Sequence, residues 1–271
     1  MRRCLSARVQ ATGPLVRLAA VAIVIFGIAA AGHGADLTAV DRPLDVPASA
    51  IRLGGPAGVE SDPTPVTITQ SYYPYDISCA FACADGAYGP TYVTHYMRRF
   101  DPWNEHQIHE PYEVVWVEFG LGYLEGPAGS GVQSPEIVLY AIDASDGLTW
   151  ANLILLDSET FTVYDADGWS FFTVLIDATI WLPQVTHLVV EVVSQDHSAG
   201  GAFFFAGNSS GQMAPSYVAS GSCGFPDPVP MSSIPGYENY MWTIHPWIVR
   251  LLIFEDGFES GDTSHWSSVV P

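Results

Sequence analysis

Lysine is absent from this chain of 271 residues, and all nine of its basic residues are arginine. The absence of lysine excludes a P-loop lysine, a Schiff-base lysine and a lysine-rich membrane patch. Because 29 acidic residues oppose the nine arginines, the formal net charge is −20, which argues against binding to nucleic acid phosphates. Only 14% of residues are charged while 48% are hydrophobic, so the composition favours a packed core over disorder.

The first 35 residues have the pattern of a secretory signal peptide. Four arginines precede an uncharged run at 18–31, and small residues follow as far as Ala35. This run is shorter than the roughly 20 apolar residues of a membrane-spanning helix, so we predict cleavage near Ala31 or Ala35, with an uncleaved signal anchor as the alternative. Cleavage leaves 5 arginines against 29 acids, a net charge of −24. We therefore expect a secreted or cell-envelope protein with no membrane span after cleavage, and a neutral or cationic partner.

The chain has few cysteines, and Cys4 would leave with the signal peptide. Cys79, Cys83 and Cys223 would remain in a compartment where disulfides persist. Because three is an odd number, one thiol would stay free or pair with another chain. If Cys83 and Cys223 were the bonded pair, that thiol would be Cys79, which would then be a candidate dimerisation site. From the residues alone, Cys79 could pair with Cys83, or either could reach Cys223. A zinc site is disfavoured because no suitably spaced ligand pair accompanies these cysteines.

After the signal peptide, residues 36–64 contain seven Pro or Gly residues and little apolar periodicity, which predicts a linker or an extended leader strand. Residues 65–254 contain short apolar segments separated by Gly, Pro, Asn and Asp. This spacing predicts an all-β domain, an antiparallel two-sheet sandwich that is jelly-roll-like. Residues 255–271 read as a flexible tail. The ten predicted strands are 66–70, 92–100, 113–124, 136–142, 152–156, 160–164, 170–177, 187–193, 202–206 and 241–254.

Alternation of apolar and polar residues is clearest in two of these segments. It predicts that Glu118 and Glu191 face solvent. Pro246 interrupts the last segment, which predicts a bulge, a break or an edge there. The positions expected to face the core are Val115, Val117, Phe119 and Leu121 in one strand and Leu188, Val190 and Val192 in the other.

Several stretches, in order along residues 66–250, resemble a family of secreted bacterial jelly-roll modules to which no reaction is assigned. The most specific is 207–217, Gly-Asn-Ser-Ser-Gly-Gln-Met-Ala-Pro-Ser-Tyr, followed by Ser-Cys-Gly at 222–224. The resemblance implies a non-enzymatic accessory module with a disulfide between Cys83 and Cys223; Cys79 departs from the family pattern. Residues 256–262, Asp-Gly-Phe-Glu-Ser-Gly-Asp, resemble a tail segment of many secreted bacterial proteins. The other matching stretches are Ile-Thr-Gln-Ser at 68–71, Arg-Arg-Phe-Asp at 98–101, Val-Glu-Phe-Gly at 117–120, Trp-Ala-Asn-Leu at 150–153 and Leu-Val-Val-Glu-Val at 188–192.

Residues 207–211 also match the Gly-x-Ser-x-Gly pattern of serine hydrolases, with Ser209 as nucleophile. That elbow requires a strand followed by a helix, and no helical period follows here, so a turn is the preferred interpretation. Asn208 is a literal glycosylation sequon. Arg98 and Arg99 lie in a strand matching the family, and we expect them to pair with acids.

Two kinds of polar cluster raise the question of metal binding. His106 and His109 could share a helical face and bind a metal ion, with Glu105 and Glu110 as further ligands. The prolines on both sides of the segment favour a solvated loop instead. Calcium could bind at the Asp-Gly turns around 143–147 and 165–168, although neither matches an EF-hand loop and Asx turns explain both. We therefore predict no cofactor, with calcium as the alternative.

The chain is rich in aromatic residues, with eight Trp and the cluster Tyr72, Tyr73 and Tyr75. Carbohydrate-binding sandwiches stack sugars on exposed rings, so we predict a secreted, non-enzymatic binding module with a glycan or cell-surface ligand. The alternatives are a secreted glycoside or ester hydrolase with a carboxylate or Ser209 site, and a passive structural envelope protein. The predicted ligand-binding residues are Trp103, Trp150, Trp169 and Trp181, which fall in loops or at strand ends.

Overall fold

The computed structural model describes residues 35–41, 65–127, 130–180 and 186–250. These residues form β-strands joined by turns and short 3-10 helices, with no α-helix among them. None of the described helices is long and apolar enough to cross a membrane. The predicted signal peptide and C-terminal tail lie outside the described residues, as do 42–64 of the predicted linker. The strands are β1 Asp36–Asp41, β2 Val66–Thr67, β3 Cys79–Ala84, β4 His95–Phe100, β5 Tyr112–Glu125, β6 Val132–Gln133, β7 Glu136–Asp143, β8 Ile154–Thr160, β9 Val163–Tyr164, β10 Phe171–Ile180, β11 Thr186–Val193, β12 Ala202–Asn208, β13 Ser216–Ser220, β14 Phe225–Pro230, β15 Met241–Trp242 and β16 Ile244–Arg250.

Two antiparallel sheets make up the domain, which confirms the predicted all-β sandwich. The larger has eight strands in the order β1-β3-β12-β5-β16-β2, with β10 paired to β5 and β15 paired to β12. The smaller has six strands in the order β14-β13-β4-β11-β7-β8, and β6 and β9 form a separate two-stranded ribbon. The long strand β5 pairs with β10, β16 and β12, so it organises the larger sheet.

The main core contains buried side chains from both sheets. Phe119 and Phe205 stack with ring centroids 5.9 Å apart, and Phe205 stacks on Tyr96 of the smaller sheet at 4.7 Å. The predicted core positions are buried in both strands, with one exception: Val115 is only half-buried. Opposite β16, the register of β5 skips Val115, so a bulge turns this residue out of the alternation.

The prediction that Glu118 and Glu191 face solvent is wrong, because both side chains are buried. Glu191 is 1% exposed; its Oε1 lies 2.6 Å from Nδ1 of His95, and its Oε2 accepts a hydrogen bond from the Tyr140 hydroxyl at 2.8 Å. Burial, and then the charge of Glu191, raise the pKa of Tyr140. Glu118 is 4% exposed, and Nε1 of Trp247 donates to it at 3.4 Å.

The hydrogen bonds of Arg98 and Arg99 go to amide and backbone oxygens and to one histidine nitrogen, not to the carboxylates that were expected. The guanidinium of Arg98 is fully buried and donates to Oε1 of Gln70 at 3.2 Å and to the carbonyl of Trp242 at 2.9 Å. Burial lowers the pKa of Arg98 to about 9. Arg99 donates to three carbonyl oxygens of the 143–146 turn and to Nδ1 of His187. Both arginines therefore fix loops against the smaller sheet.

A disulfide joins Cys83 to Cys223, with a Cα–Cα distance of 5.9 Å and a sequence separation of 140. This is the pairing that the family resemblance implies. Cys83 lies in β3 of the larger sheet and Cys223 follows β13 of the smaller sheet, so the bond links the two layers. Cys79 is completely buried, and no described cysteine is a free thiol. The expectation that a free Cys79 joins two copies is therefore not supported.

Several strands differ from the predicted set, each for a physical reason. Within the predicted linker or leader, β1 pairs along its whole length with β3, whose small residues gave no clear signal. At the edge of the smaller sheet, β14 carries three prolines, which an edge strand tolerates because one side needs no partner. The strand predicted at 241–254 is broken at Thr243, and the register of β16 shifts just after Trp247, next to Pro246.

Candidate functional site

The four predicted tryptophans do not form one platform in the described residues. Trp103 and Trp150 are both half-buried and lie towards opposite ends of β4, whose six residues span about 20 Å. The Trp103 ring contacts His109, with centroids 4.2 Å apart. The Trp150 ring contacts His95 at 4.9 Å, and its Nε1 donates to the carbonyl of Pro226 at 2.7 Å. Trp181 lies outside the described residues.

Trp169, one of the predicted ligand-binding residues, packs against the larger sheet in the structure. It is 7% exposed and packs with Phe171 and Phe204 on the outer face of the larger sheet. Its backbone has φ +61°, and its N–H donates to the carbonyl of Gly122 at 2.9 Å. A ring so enclosed has no face to offer a ligand.

Ser209 does not lie in a nucleophile elbow. It follows β12, and the chain continues through a turn into β13 with no helix between them. The neighbouring Asn208 is completely buried, with its Nδ2 bound to the carbonyl of Asp76 at 2.7 Å. The sequon at this position is therefore sequestered within the fold.

The first predicted calcium loop is a closed turn around Arg99. Oδ1 of Asp143 accepts from the backbone N–H and the hydroxyl of Ser145, which lowers the pKa of Asp143. The carbonyl oxygens of Asp143, Ala144 and Asp146 accept from the Arg99 guanidinium. A cation would compete with a fixed guanidinium for these oxygens, so the loop is poorly suited to calcium.

The second predicted calcium loop, around 165–168, is also a hydrogen-bonded turn. Asp165 accepts from the backbone N–H of Gly126 at 2.7 Å, and Asp167 accepts from that of Tyr164 at 2.7 Å. Burial lowers the pKa of His106. Across the described ranges, no three His, Cys, Asp or Glu side chains are grouped to hold a metal ion.

A shallow depression, which we call the Tyr72 depression, combines an exposed aromatic ring with polar side chains. Tyr72 is 63% exposed, the largest exposure of any described aromatic ring. The polar groups are amides, hydroxyls and one carboxylate, all within reach of a ligand lying against the ring. The residues that line the depression are Tyr72, Ser209, Ser210, Gly211, Gln212, Glu238 and Asn239.

Two loops, 70–76 and 208–213, are joined by hydrogen bonds that position Tyr72. The backbone N–H of Tyr72 donates to the carbonyl of Gly211 at 3.2 Å, and that of Met213 donates to the carbonyl of Gln70 at 2.8 Å. Asn208 donates through Nδ2 to Asp76 and accepts through Oδ1 from the backbone N–H of Ser210. These bonds fix the loop backbones while the Tyr72 ring stays outside.

Glycine is required at position 211. Its φ is +112°, a conformation that other residues rarely adopt, and an added Cβ would lie 2.9 Å from Cδ2 of Tyr72. The Tyr72 ring therefore rests directly against the backbone of Gly211. This contact explains why the turn sequence Gly-Asn-Ser-Ser-Gly-Gln has its second glycine at position 211, opposite Tyr72.

The first loop is also anchored to the sheet below it. His245 is completely buried in β16, and its Nε2 donates to the carbonyl of Pro74 at 2.8 Å. Burial lowers the pKa of His245 to about 3. The Tyr75 ring packs on Phe171 at 5.5 Å and on His245 at 5.8 Å. Tyr75, at 38% exposed, therefore helps to support the loop, whereas Tyr72 is 63% exposed.

The third part of the depression comes from the chain just before β15. Tyr237 and Tyr240 are buried, and both rings contact Phe81. Glu238 and Asn239 lie between these two anchors and are exposed. The sequence drew attention to the tyrosine cluster and to 207–217 separately. It gave no signal that Glu238 and Asn239 would join them, because that proximity depends on the tertiary fold.

No family model matches the chain, and no curated protein is similar to it in sequence. Among solved structures, it is similar to the cysteine protease and lectin-like domains of Cwp84, a surface layer associated protein of Clostridium difficile. The identity is 11% and the TM-score 0.46, over 70% of this chain and 37% of that one. A structure of the clostridial protease Cwp84 after propeptide cleavage is similar at 12% identity and a TM-score of 0.40, over 60% of this chain and 37% of that one. This chain thus spans little more than a third of those chains, and similarity at this level supports no functional argument.

Proposed function

We propose that this protein is an exported binding module that holds a glycan in the Tyr72 depression. The observation that carries the proposal is the exposed Tyr72 ring, backed by Gly211 and bordered by polar side chains. A sugar ring offers an apolar C–H face and a polar edge, so it suits an aromatic platform with hydrogen-bonding groups beside it. Gln212 and Asn239 each supply both amide donors and a carbonyl acceptor for hydroxyl groups.

The fixed loop backbones support this proposal energetically. A ligand that binds to mobile loops must also order them, which reduces the net affinity. Here the cross-loop bonds of Asn208 and Gly211 already fix both loops in the free protein. The ordering cost is therefore limited largely to exposed side chains such as Asn239.

Export is the second part of the proposal, and the disulfide supports it. A bond between Cys83 and Cys223 persists in oxidising compartments and is rare in a reducing cytoplasm. The amino-terminal pattern of arginines, apolar run and small residues is consistent with the same destination. An extracellular or cell-envelope location would place the Tyr72 depression within reach of surface glycans.

A glycan array tests the proposal directly, with the purified protein, Tyr72→Ala and Tyr72→Phe compared on the same slides. We expect binding to at least one glycan class, loss of that binding in Tyr72→Ala and its retention in Tyr72→Phe, which keeps the ring. Tyr164→Ala is the matched control, because Tyr164 is 55% exposed but lies on the β6–β9 ribbon. Binding that survives Tyr72→Ala, or no binding to any glycan, would contradict the proposal.

A further inference from the structure

We infer, given the proposed glycan site, that the Tyr72 depression selects cationic amino sugars, whose free ammonium group lies beside Glu238. The glycan class is therefore one containing glucosamine-type residues that are not N-acetylated. This inference depends on the proposed function and adds to it the charge of the ligand.

Of the described residues that line the depression, Glu238 alone has a side chain that is charged at neutral pH. Its Oε1 accepts a hydrogen bond from the backbone N–H of Gly236 at 3.0 Å, which lowers the pKa of the carboxyl group. Because Tyr237 and Tyr240 anchor the chain on both sides, the carboxylate is held at the rim of the depression. It therefore presents a fixed negative charge to a bound ligand.

Among the residues that the structure describes, no basic side chain lines the depression to offset this charge. Behind the Ser210 hydroxyl, which donates to Oδ2 of Asp76 at 2.7 Å, lies a second carboxylate. Arg98 reaches the same loops, but its guanidinium is fully buried and its hydrogen bonds go to Gln70 and to carbonyl oxygens. With a formal charge of −20 over the whole chain, the surrounding field also favours cations over anions.

The ring and the carboxylate suit two different parts of one amino sugar. The sugar's C–H face can stack on Tyr72, and its ammonium group can donate to Glu238. An ammonium group near the ring face gains a further cation–π attraction. An N-acetyl group removes the positive charge, so acetylation would remove both electrostatic contributions while leaving the stacking face.

Isothermal titration with β-1,4-linked glucosamine oligomers and their fully N-acetylated counterparts of equal length tests the inference. We expect the glucosamine oligomer to bind about tenfold more tightly at low ionic strength, with this preference reduced at about 0.5 M salt. Glu238→Gln should weaken binding of the glucosamine oligomer about fivefold and leave the acetylated oligomer unchanged. Glu159→Gln is the matched control, because it removes the same charge from an exposed position in β8, at the edge of the smaller sheet.

The outcomes separate the inference from the proposed function. Equal or tighter binding of the acetylated oligomer, or no effect of Glu238→Gln, would overturn the amino-sugar inference while Tyr72-dependent glycan binding stands. Equal weakening by Glu159→Gln would also overturn it, since the effect would then reflect net charge alone. If Tyr72→Ala leaves binding of every oligomer and every arrayed glycan unchanged, the proposed function itself fails.

Discussion

Trp169 and Tyr72 are both aromatic residues in turns between strands, yet the fold uses them in opposite ways. The turn at Trp169 directs its ring onto the larger sheet, where only 7% remains exposed. The loop at Tyr72 bonds its backbone to Gly211 and leaves 63% of the residue exposed. The difference teaches that a position in a turn does not by itself expose an aromatic ring to a ligand. Whether the ring packs on a sheet or stays in solvent depends on the tertiary contacts of the turn.

The same contrast divides the molecule into a scaffold and a pair of loops. In the scaffold, aromatic rings and the disulfide hold the two sheets together, so their loss should lower stability. In loops 70–76 and 208–213, hydrogen bonds fix the backbone while the ring of Tyr72 is free to contact a ligand. Changes to exposed side chains in these loops, such as Tyr72, should affect binding more than stability, whereas changes to the buried Asn208 should affect both.

The largest expected effect on stability belongs to the scaffold disulfide. Replacing both Cys83 and Cys223 with serine removes a link across 140 residues and should lower the free energy of unfolding by about 5 kcal/mol on the chain-entropy model. Chemical denaturation of the variant, beside wild-type protein with and without reductant, measures this effect. A loss below about 1 kcal/mol would show that the sheets do not depend on this link.

Trp169→Ala should lower the free energy of unfolding by about 3 to 4 kcal/mol, because it leaves a cavity under the outer face of the larger sheet. Glycan affinity should stay unchanged when measured well below the unfolding transition. Trp169→Phe, which retains part of the ring, should cost less. If Trp169→Ala weakened glycan binding with little effect on stability, the contrast with Tyr72 would be reversed.

Acid should destabilise the support beneath the loops through His245. Its folded pKa of about 3 lies below the ordinary value of 6.5, so between these values the unfolded chain binds a proton that the folded protein does not. The contribution of His245 to the free energy of unfolding is complete above about pH 6.5. Between about pH 6.5 and pH 3 it falls by at most about 1.4 kcal/mol for each unit that the pH is lowered.

Denaturation at pH 7, 6 and 5 measures this slope in wild type and in His245→Gln. The pKa values of His106, His187 and His197 are lowered too, so they add to the wild-type slope in the same direction. His245→Gln should therefore show a shallower slope than wild type. Identical slopes for wild type and His245→Gln would contradict the assignment.

Asn208→Ala should reduce both stability and binding, since it removes the side chain that joins the two loops. We expect a loss of about 2 kcal/mol in the free energy of unfolding and weaker glycan binding, because the loops must then be ordered by the ligand. Ser209→Ala, one residue further, is the control and should leave stability within about 0.5 kcal/mol of wild type. Unchanged affinity in Asn208→Ala would show that the cross-loop bonds do not organise the site.

Much of the fold could be predicted from the sequence, because period-two alternation and turn residues are local signals. Leu188, Val190 and Val192 face the core as predicted. The failures lie where tertiary contacts override alternation. Glu191 is buried because a loop carrying Trp150 covers its face of the sheet, and β3 was missed because its alanines carry little strand propensity.

The candidate site could be predicted only in part. The predicted tryptophans and Tyr72 are all loop or strand-end aromatics, but a turn position does not report whether a ring packs back onto the sheet, as it does at Trp169. The 207–217 pattern was singled out, and the structure gives it a physical role: Gly211 supports Tyr72 and Asn208 joins the two loops. Glu238 reaches the depression only through tertiary packing.

Tyr72→Ala tests the central claim most directly, with affinity and stability measured on the same preparation. Titration with a glycan identified on the array should show affinity reduced about tenfold or more. Denaturation should place the free energy of unfolding within about 0.5 kcal/mol of wild type, because the exposed ring contributes little to the core. Unchanged affinity would contradict the account, and so would a loss of affinity accompanied by destabilisation of several kcal/mol, which would make Tyr72 a scaffold residue like Trp169.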